Sequence, residues 1–439
     1  MHRLRIFLCA GLVAVAIAGC DNQAQLPAEN SYGPNPSLPA PHKSLFPTYN
    51  VPSVKGWKDG EHPTAAGGLV VKAFATGLEH PRWLYVLPNG DVLVAEGNQG
   101  AKSADKMGYG GWLESLVRRI QGHFVKSANR ITLLRDTNGG GVANMTSVLV
   151  SNLNVPFGMT VIGDTLYVAD TDALMAFPYK AGEVKITDPG RRVTALPAGP
   201  INHHWTKNVI ANKDGTKLYV TIGSNSNVGE NGLAAEADRA MIWEIDPATG
   251  EHRVFASGLR NPNGMDWAPD GTLWTVVNER DELGSDLVPD YLTSVKDGGF
   301  YGWPYSYYGG HIDDRVQPQN PDLVTKAIRP DYALGTHTAS LGLAWSENAK
   351  LGDLYASGVF VGQHGSWNRK PLNGYRVIFV PFKNAKPSGQ PVDVLTGFLN
   401  DEGKARGRPV GLAIDKTGAL LVADDAGNTV WRVSPAASP

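Results

Sequence analysis

The chain has 439 residues, a formal net charge of -2 and 19% charged residues. No Lys/Arg run or basic stripe breaks that balance, which argues against a nucleic-acid partner. Gly (51) and Pro (30) are abundant, and helix-period segments are scarce, so the composition points to an all-β protein of many short strands.

The first elements in chain order concern export. His2, Arg3 and Arg5 precede an apolar run at 6–17, too short to span a bilayer stably, followed by Ala18-Gly19-Cys20. This has the form of a bacterial lipoprotein signal. Residues 1–19 would be removed and Cys20 lipidated. The protein would be periplasmic and meet a membrane only through that lipid. An ordinary secretory signal cut nearby is the alternative. Cys9 leaves with the signal and the only other cysteine is Cys20, so the mature domain has no disulfide and no thiol chemistry. Residues 20–67 begin with a stretch rich in Pro, Asn, Ser and Gln and read as a flexible tether. Residues 68–439 form the predicted folded domain.

That domain repeats one phrase in degraded form: Pro, a small or polar residue, Gly, apolar residues, a turn and a second strand. It reads PRWLYVLPNGDVLVAEG from Pro81, PFGMTVIGDTLYVAD from Pro156 and HHWTKNVIANKDGTKLYVTIGS from His203. It returns as PNGMDWAPDGTLWTVVN from Pro262, ASLGLAWSENAKLGDLYASG from Ala339 and RPVGLAIDKTGALLVADD from Arg408. Asn89-Gly90, Asp214-Gly215 and Asp270-Gly271 are hairpin turns, since Asn and Asp tolerate the left-handed conformation and Gly adopts it freely. Six copies predict a six-bladed β-propeller. The copies are spaced more widely than a bare blade, so loops are inserted, on one face, chiefly at 97–126 and 279–331. Residues 69–74 are expected to close the ring.

Polar clusters sit near the copy starts. His203-His204 precedes the third strand pair; a histidine there suits proton abstraction, although one of two adjacent histidines could simply be packed. Arg260-Asn261 precedes the fourth, where a guanidinium can hold an anion or a carbonyl, or lie at a surface turn. The loop from Asn278 to Asp286 offers hard oxygens suited to calcium, or is a solvated acidic loop. The aromatic run at 298–308 can stack on a planar ligand or pack its own loop. The segment 362–369 and Arg406-Gly407-Arg408 close the set; both also suit plain surface loops.

Taken in order, His203-His204-Trp205-Thr206, Gly258-Leu259-Arg260-Asn261-Pro262-Asn263-Gly264, Gly298-Gly299-Phe300-Tyr301-Gly302-Trp303-Pro304 and His364-Gly365-Ser366-Trp367-Asn368-Arg369 resemble the propeller-type quinoprotein glucose and sorbosone dehydrogenases. The His-His-Trp-Thr form is closer to the sorbosone branch. The resemblance covers residues 68–433. It implies pyrroloquinoline quinone (PQQ) and calcium as cofactors, with His204 as general base and Arg260 at the reactive carbonyl. It implies cofactor contacts from Asn261, Arg406 and Arg408, and a calcium loop at Glu279, Arg280 and Asp281. Two departures follow. His203 stands where the glucose branch has Asp, and the segment holding His364, Trp367 and Arg369 stands where it has a cofactor-binding Lys. These four are assigned to the cofactor site in their place.

The implied reaction is oxidation of a sugar, sugar aldehyde or related alcohol, with electrons passed to a periplasmic quinone or cytochrome. No Gly-rich dinucleotide fingerprint follows a strand, which argues against a nicotinamide. A calcium-dependent, lactonase-like propeller hydrolase and a non-catalytic binding propeller are the competing readings. Uptake of PQQ separates the hydrolase, and clustering of His204, Arg260, Arg406 and Arg408 in one pocket separates the non-catalytic propeller. Equivalent positions of the repeat fall on one face, so His204, Arg260 and Arg408 are expected to converge on one central pocket.

Overall fold

The computed structural model describes residues 23–42, 48–98 and 126–436. Six antiparallel sheets of four core strands follow one another along the chain. The innermost strands of the six blades are Pro81–Val86, Met159–Ile162, Val209–Ala211, Asn261–Trp267, Ser340–Trp345 and Pro409–Ile414. Each coincides with one copy of the repeated phrase. The sixth blade takes its outermost strand from the start of the domain: Leu69–Ala75 pairs antiparallel with Thr429–Pro435. The expected ring closure is therefore present, displaced by a single residue at its end.

The glycine of the phrase has a spatial reason. A Cβ on Gly158 would lie 2.3 Å from the Val209 backbone nitrogen, and one on Gly342 would lie 2.1 Å from the Val410 carbonyl oxygen. Gly264 and Gly411 face the next inner strand in the same way. Inner strands crowd at the axis of a disc, and in these four blades only a residue without a side chain fits at that position. Blade one has Trp83 instead, which packs on Phe157 of blade two with centroids 5.1 Å apart. The phrase also carries a bulge, as in the register shift between Pro81 and Trp83 and that between Pro409 and Leu412. A bulge re-aims side chains at a strand end, here at the heads of the inner strands.

Burial follows the same logic. Separate apolar clusters fill the blade interfaces: Ala169, Leu174, Val220 and Trp243 between blades two and three, and Val276, Leu292, Val361 and Ile378 between four and five. Strands buried on both faces read as near-continuous apolar runs, as in Val92–Glu96 and Leu218–Ile222.

Two expectations change. The tether is not a free chain over its described part. Ala28–Ser31 forms a 3-10 turn, Tyr32–Gly33 adds a strand to blade four, and Thr64–Ala65 adds one to blade five. Trp57 packs edge-on against Phe398 and Trp431. Of the few large apolar residues in this polar stretch, Tyr32 and Val51 are buried and Leu26, Leu38, Val54 and Trp57 half-buried. Its composition hid the docking, because a strap needs only occasional anchors. The insertion at 295–331 also differs from a simple face loop. It starts at Val295, paired to Leu273 at the strand end opposite the inner-strand heads, and reaches Glu279 near the heads through Tyr308. The signal segment, Cys20 and most of the 97–126 insertion lie outside the described residues. Among the described residues no helix is long and apolar enough to cross a membrane.

Candidate active site

Inner-strand heads meet the ends of the second strands: Asn261 faces Asn278, Ser340 faces Gln363 and Pro409 faces Asp424. Two carboxylates, Asp281 and Asp425, organise the polar groups carried on the loops leaving those ends.

Asp281 accepts Arg260 Nη2 at 2.8 Å and Asn368 Nδ2 at 2.7 Å, with His337 Nδ1 3.4 Å away. Burial alone would raise its pKa. The Arg260 charge and the His337 and Asn368 bonds outweigh that and hold Asp281 well below the usual carboxylate range. Arg260 is buried. Its remaining donors reach the carbonyls of Asn227 (3.1 Å) and Glu279 (2.6 Å) and the Asn227 Oδ1 (3.1 Å). Five N–H donors in a rigid fork allow this many contacts; a lysine could not make them.

His204 stands beside this network. Its Nδ1 lies 2.9 Å from both the Ser224 carbonyl and Ser224 Oγ. A carbonyl only accepts, so the proton of the neutral ring sits on Nδ1 and Nε2 is the basic nitrogen. Ser224 in turn donates its N–H to the Arg260 carbonyl at 2.8 Å. Gly223 separates His204 from Asn261; a Cβ there would come within 2.5 Å of both side chains. The His203 ring meets the His204 ring edge-on at 4.6 Å. Lys207, fully buried, holds the carbonyls of His204 (3.4 Å) and Trp205 (3.3 Å).

The second centre is Asp425. Arg82 Nη1 and His364 Nε2 bond its Oδ2, the latter at 2.9 Å, and His80 Nε2 lies 3.4 Å away. Arg408 donates to the carbonyls of His364 (3.0 Å) and Gly365 (2.9 Å). Burial, with the Arg82 and Arg408 charges, drives the His80 pKa down to about 4. Burial and Arg408 take His364 to about 3. Both imidazoles are therefore neutral near pH 7. The two centres are joined on both sides. The 364–369 loop places His364 on Asp425 and Asn368 on Asp281. Opposite it, the Arg82 guanidinium lies 5.3 Å over the Trp205 ring, next to His204. The polar groups thus surround one mouth of the central channel.

A family model described as TrAA12-like matches residues 125–291 and 316–436, well over half of the chain. The chain belongs to this TrAA12-like family. Its relatives include a pyrroloquinoline quinone-dependent pyranose dehydrogenase of Coprinopsis cinerea, 22% identical over 85% of this chain and 55% of the relative. The chain thus spans about half the length of that relative. Among solved structures, the holo PQQ domain of pyranose dehydrogenase from Coprinopsis cinerea aligns with a TM-score of 0.68 at 20% identity, over 88% of this chain and all of that one. A calcium structure of a Trichoderma reesei AA12 enzyme aligns at 0.67 with 18% identity, over 89% of this chain and 99% of that one. The PQQ-bound aldose sugar dehydrogenase of Streptomyces coelicolor aligns at 0.54 with 17% identity, over 85% and 99%. These likenesses bear on the propeller fold.

Within this TrAA12-like protein, the structure brings together His203, His204, Arg260, Asn261, His364 and Arg408 of the residues read from sequence. Trp367 is half-buried and packs on Tyr49 of the N-terminal strap, 5.9 Å between rings. Arg369 is not placed to hold a ligand: it is buried as a brace, donating to the Ser285 carbonyl, Thr336 Oγ1 and the Pro371 carbonyl. Arg406 stays outside the cluster, 3.8 Å from Glu61 and partly exposed. In the metal loop, the Arg280 guanidinium is tied to Asp313 and the Asp281 carbonyl, so its side chain is a support. The Glu279 carboxylate accepts the N–H groups of Arg280 and Tyr308. Among the described residues no three His, Cys, Asp or Glu side chains meet to hold a metal. The aromatic run is packing: Tyr301 bonds the Ser294 carbonyl and Trp303 the Asn227 carbonyl. Sequence reading missed Arg82, His80, Asn227 and Asp425. Arg82 and Asp425 had a signal, since both lie at the ends of copies of the repeated phrase.

Proposed function

We propose that this chain is a PQQ-dependent oxidoreductase acting on a sugar, sugar aldehyde or related alcohol. The observation that carries the reading is the meeting of His204, Arg260, Asn261 and Arg408 at one mouth of the propeller. Arg82 Nε is a buried donor without a partner there and suits an anion, since native interiors leave few such groups unsatisfied without a reason. Asn261 Oδ1 and Asp425 Oδ1 are also buried without partners, but these oxygens accept and would take a donor. PQQ is a planar tricarboxylate, and the buried arginines match its charge.

The oxygens suited to calcium are the carbonyls of Asn227, Asn278 and Glu279, Asn227 Oδ1 and the Asp281 carboxylate. All are hard donors, and all are gathered here around the Arg260 guanidinium. Bound PQQ would supply two-electron oxidation. The protein's part is to bind, orient and move the proton. His204 Nε2 takes the substrate hydroxyl proton, while Ser224 holds the ring in the required tautomer. Arg260 and Asn261 steady oxygens on which negative charge develops. Trp83, Phe157 and Trp205 line an apolar flank of the cluster.

The same proposal includes a sorbosone-type preference from the His203-His204 pair. It also includes export, lipid attachment at Cys20, and transfer of electrons to a quinone or cytochrome. The test is reconstitution of the purified chain with PQQ and calcium. Dye reduction by sugars or aldehydes is expected. Failure to take up PQQ under any condition would refute it, and lactone hydrolysis instead would favour the lactonase-like reading. A Cys20→Ser chain should leave the membrane fraction.

A further inference from the structure

We propose that Arg82, rather than Arg406, is the partner of Arg408 in the clamp that receives a cofactor carboxylate. This rests on the PQQ reading above. The resemblance pairs Arg406 with Arg408, but the loop before the sixth inner strand parts their side chains. Arg408 heads the sixth inner strand and is buried, whereas Arg406 is partly exposed and faces Glu61. Arg82 lies in the first inner strand, next to the sixth around the ring. Gly411 lets the two strands touch there: its Cβ would fall 2.7 Å from the Arg82 carbonyl oxygen.

Charge and geometry point the same way. Arg82 is 7% exposed and its Nε has no hydrogen-bond partner. Burial, with the nearby Arg408 charge, lowers the Arg82 pKa against the pull of Asp425. Asp425 is the carboxylate bonded to Arg82, and it already serves His364 and His80. Asp425 bonds Arg82, whereas the Arg408 guanidinium donates to the carbonyls of His364 and Gly365 and Asp424 accepts only the Arg408 backbone N–H. Two guanidiniums buried close together favour an anion that meets both. The Arg82 fork is also held rigidly, 5.6 Å from the Phe157 ring and 5.3 Å from Trp205. A rigid guanidinium with donors unspent loses little entropy on taking up a carboxylate. Trp205 adjoins His204, so an anion held here lies beside the catalytic base.

The experiment is PQQ titration, followed by the cofactor's absorbance and by tryptophan fluorescence, of the full chain and its variants. Arg82→Met should weaken PQQ binding roughly 10- to 100-fold, the usual cost of a charge-assisted bond. Arg82→Lys should recover part of the loss, and Arg406→Met should bind within about twofold of wild type, as expected for an exposed ion pair. Removing Arg82 leaves Asp425 without its bonded arginine. The double variant Arg82→Met/Asp425→Asn removes both charges and serves if the single variant does not fold; it should bind as weakly. Wild-type-like binding by Arg82→Met or by the double variant overturns the inference while the cofactor reading stands. A loss confined to Arg406→Met also overturns it. No PQQ uptake by the wild-type chain defeats the cofactor reading and this inference together.

Discussion

Asp170 offers a quantitative check on the site side of blade two. It follows the strand Thr165–Ala169, is 5% exposed, and accepts the Asn154 N–H through Oδ2 at 2.9 Å. Its Oδ1 is buried with no partner. Burial, aided by the nearby Asp172 charge, raises its pKa to about 7 against the Asn154 bond. An unfolded Asp titrates near pH 4, so the folded state holds its proton more tightly. The stability this provides is complete below that pH and is lost as pH rises through about 7. At 1.36 kcal/mol per pKa unit, roughly 3 units correspond to ~4 kcal/mol, of which about 2 to 3 kcal/mol is lost between pH 5 and pH 8. Asp170→Asn copies the shape of the protonated acid and keeps an acceptor for Asn154, but cannot ionise. Urea unfolding of both proteins at pH 5, 6.5 and 8 isolates this group, because every other titration is shared. The variant should gain on wild type by about 2 to 3 kcal/mol across that range. Parallel stability curves would mean that Asp170 ionises as an ordinary carboxylate and that its burial has been misjudged.

Other consequences are open to direct measurement. His204→Ala should lower turnover by about 100- to 10,000-fold, the usual cost of a lost general base, while PQQ titration stays near wild type; near-normal turnover would remove His204 from the mechanism. Gly223→Ala inserts a methyl group between His204 and Asn261 and should cut kcat by on the order of 100-fold, as a misplacement near 1 Å does; unchanged kcat with normal folding would show that their spacing is not critical. Trp57→Phe removes the 2.7 Å bond to the buried Asp424 carboxylate and should cost about 1.5 to 3 kcal/mol in urea unfolding. A loss below the error of that measurement would mean that the strap carries no load.

The disc was legible because a propeller repeats one local pattern, and that pattern has a spatial cause. Gly158, Gly264, Gly342 and Gly411 recur because inner strands crowd at the axis. A recurring steric demand leaves a recurring letter. His204, Arg260 and Arg408 were legible by position, because the heads of the inner strands share one face. What stayed hidden was the pairing between heads. Asp425 lies 343 residues from Arg82 and 61 from His364, and no periodicity relates an acid ending one blade to an arginine opening the next around a closed ring. The closure that joins Leu69–Ala75 to the last blade also joins the two ends of the chain's polar inventory. The resemblance made a pair of Arg406 and Arg408, which are two residues apart in sequence. At a strand head one residue turns to the axis and another to the rim, so closeness along the chain is a poor guide to which side chains share a ligand. The N-terminal strap teaches the same lesson. Its composition is that of a linker, yet Trp57 reaches Asp424, whose other oxygen accepts the Arg408 N–H at 2.7 Å. A segment that contributes no catalytic group thereby helps fix one of the two arginines on which the proposed cofactor clamp depends.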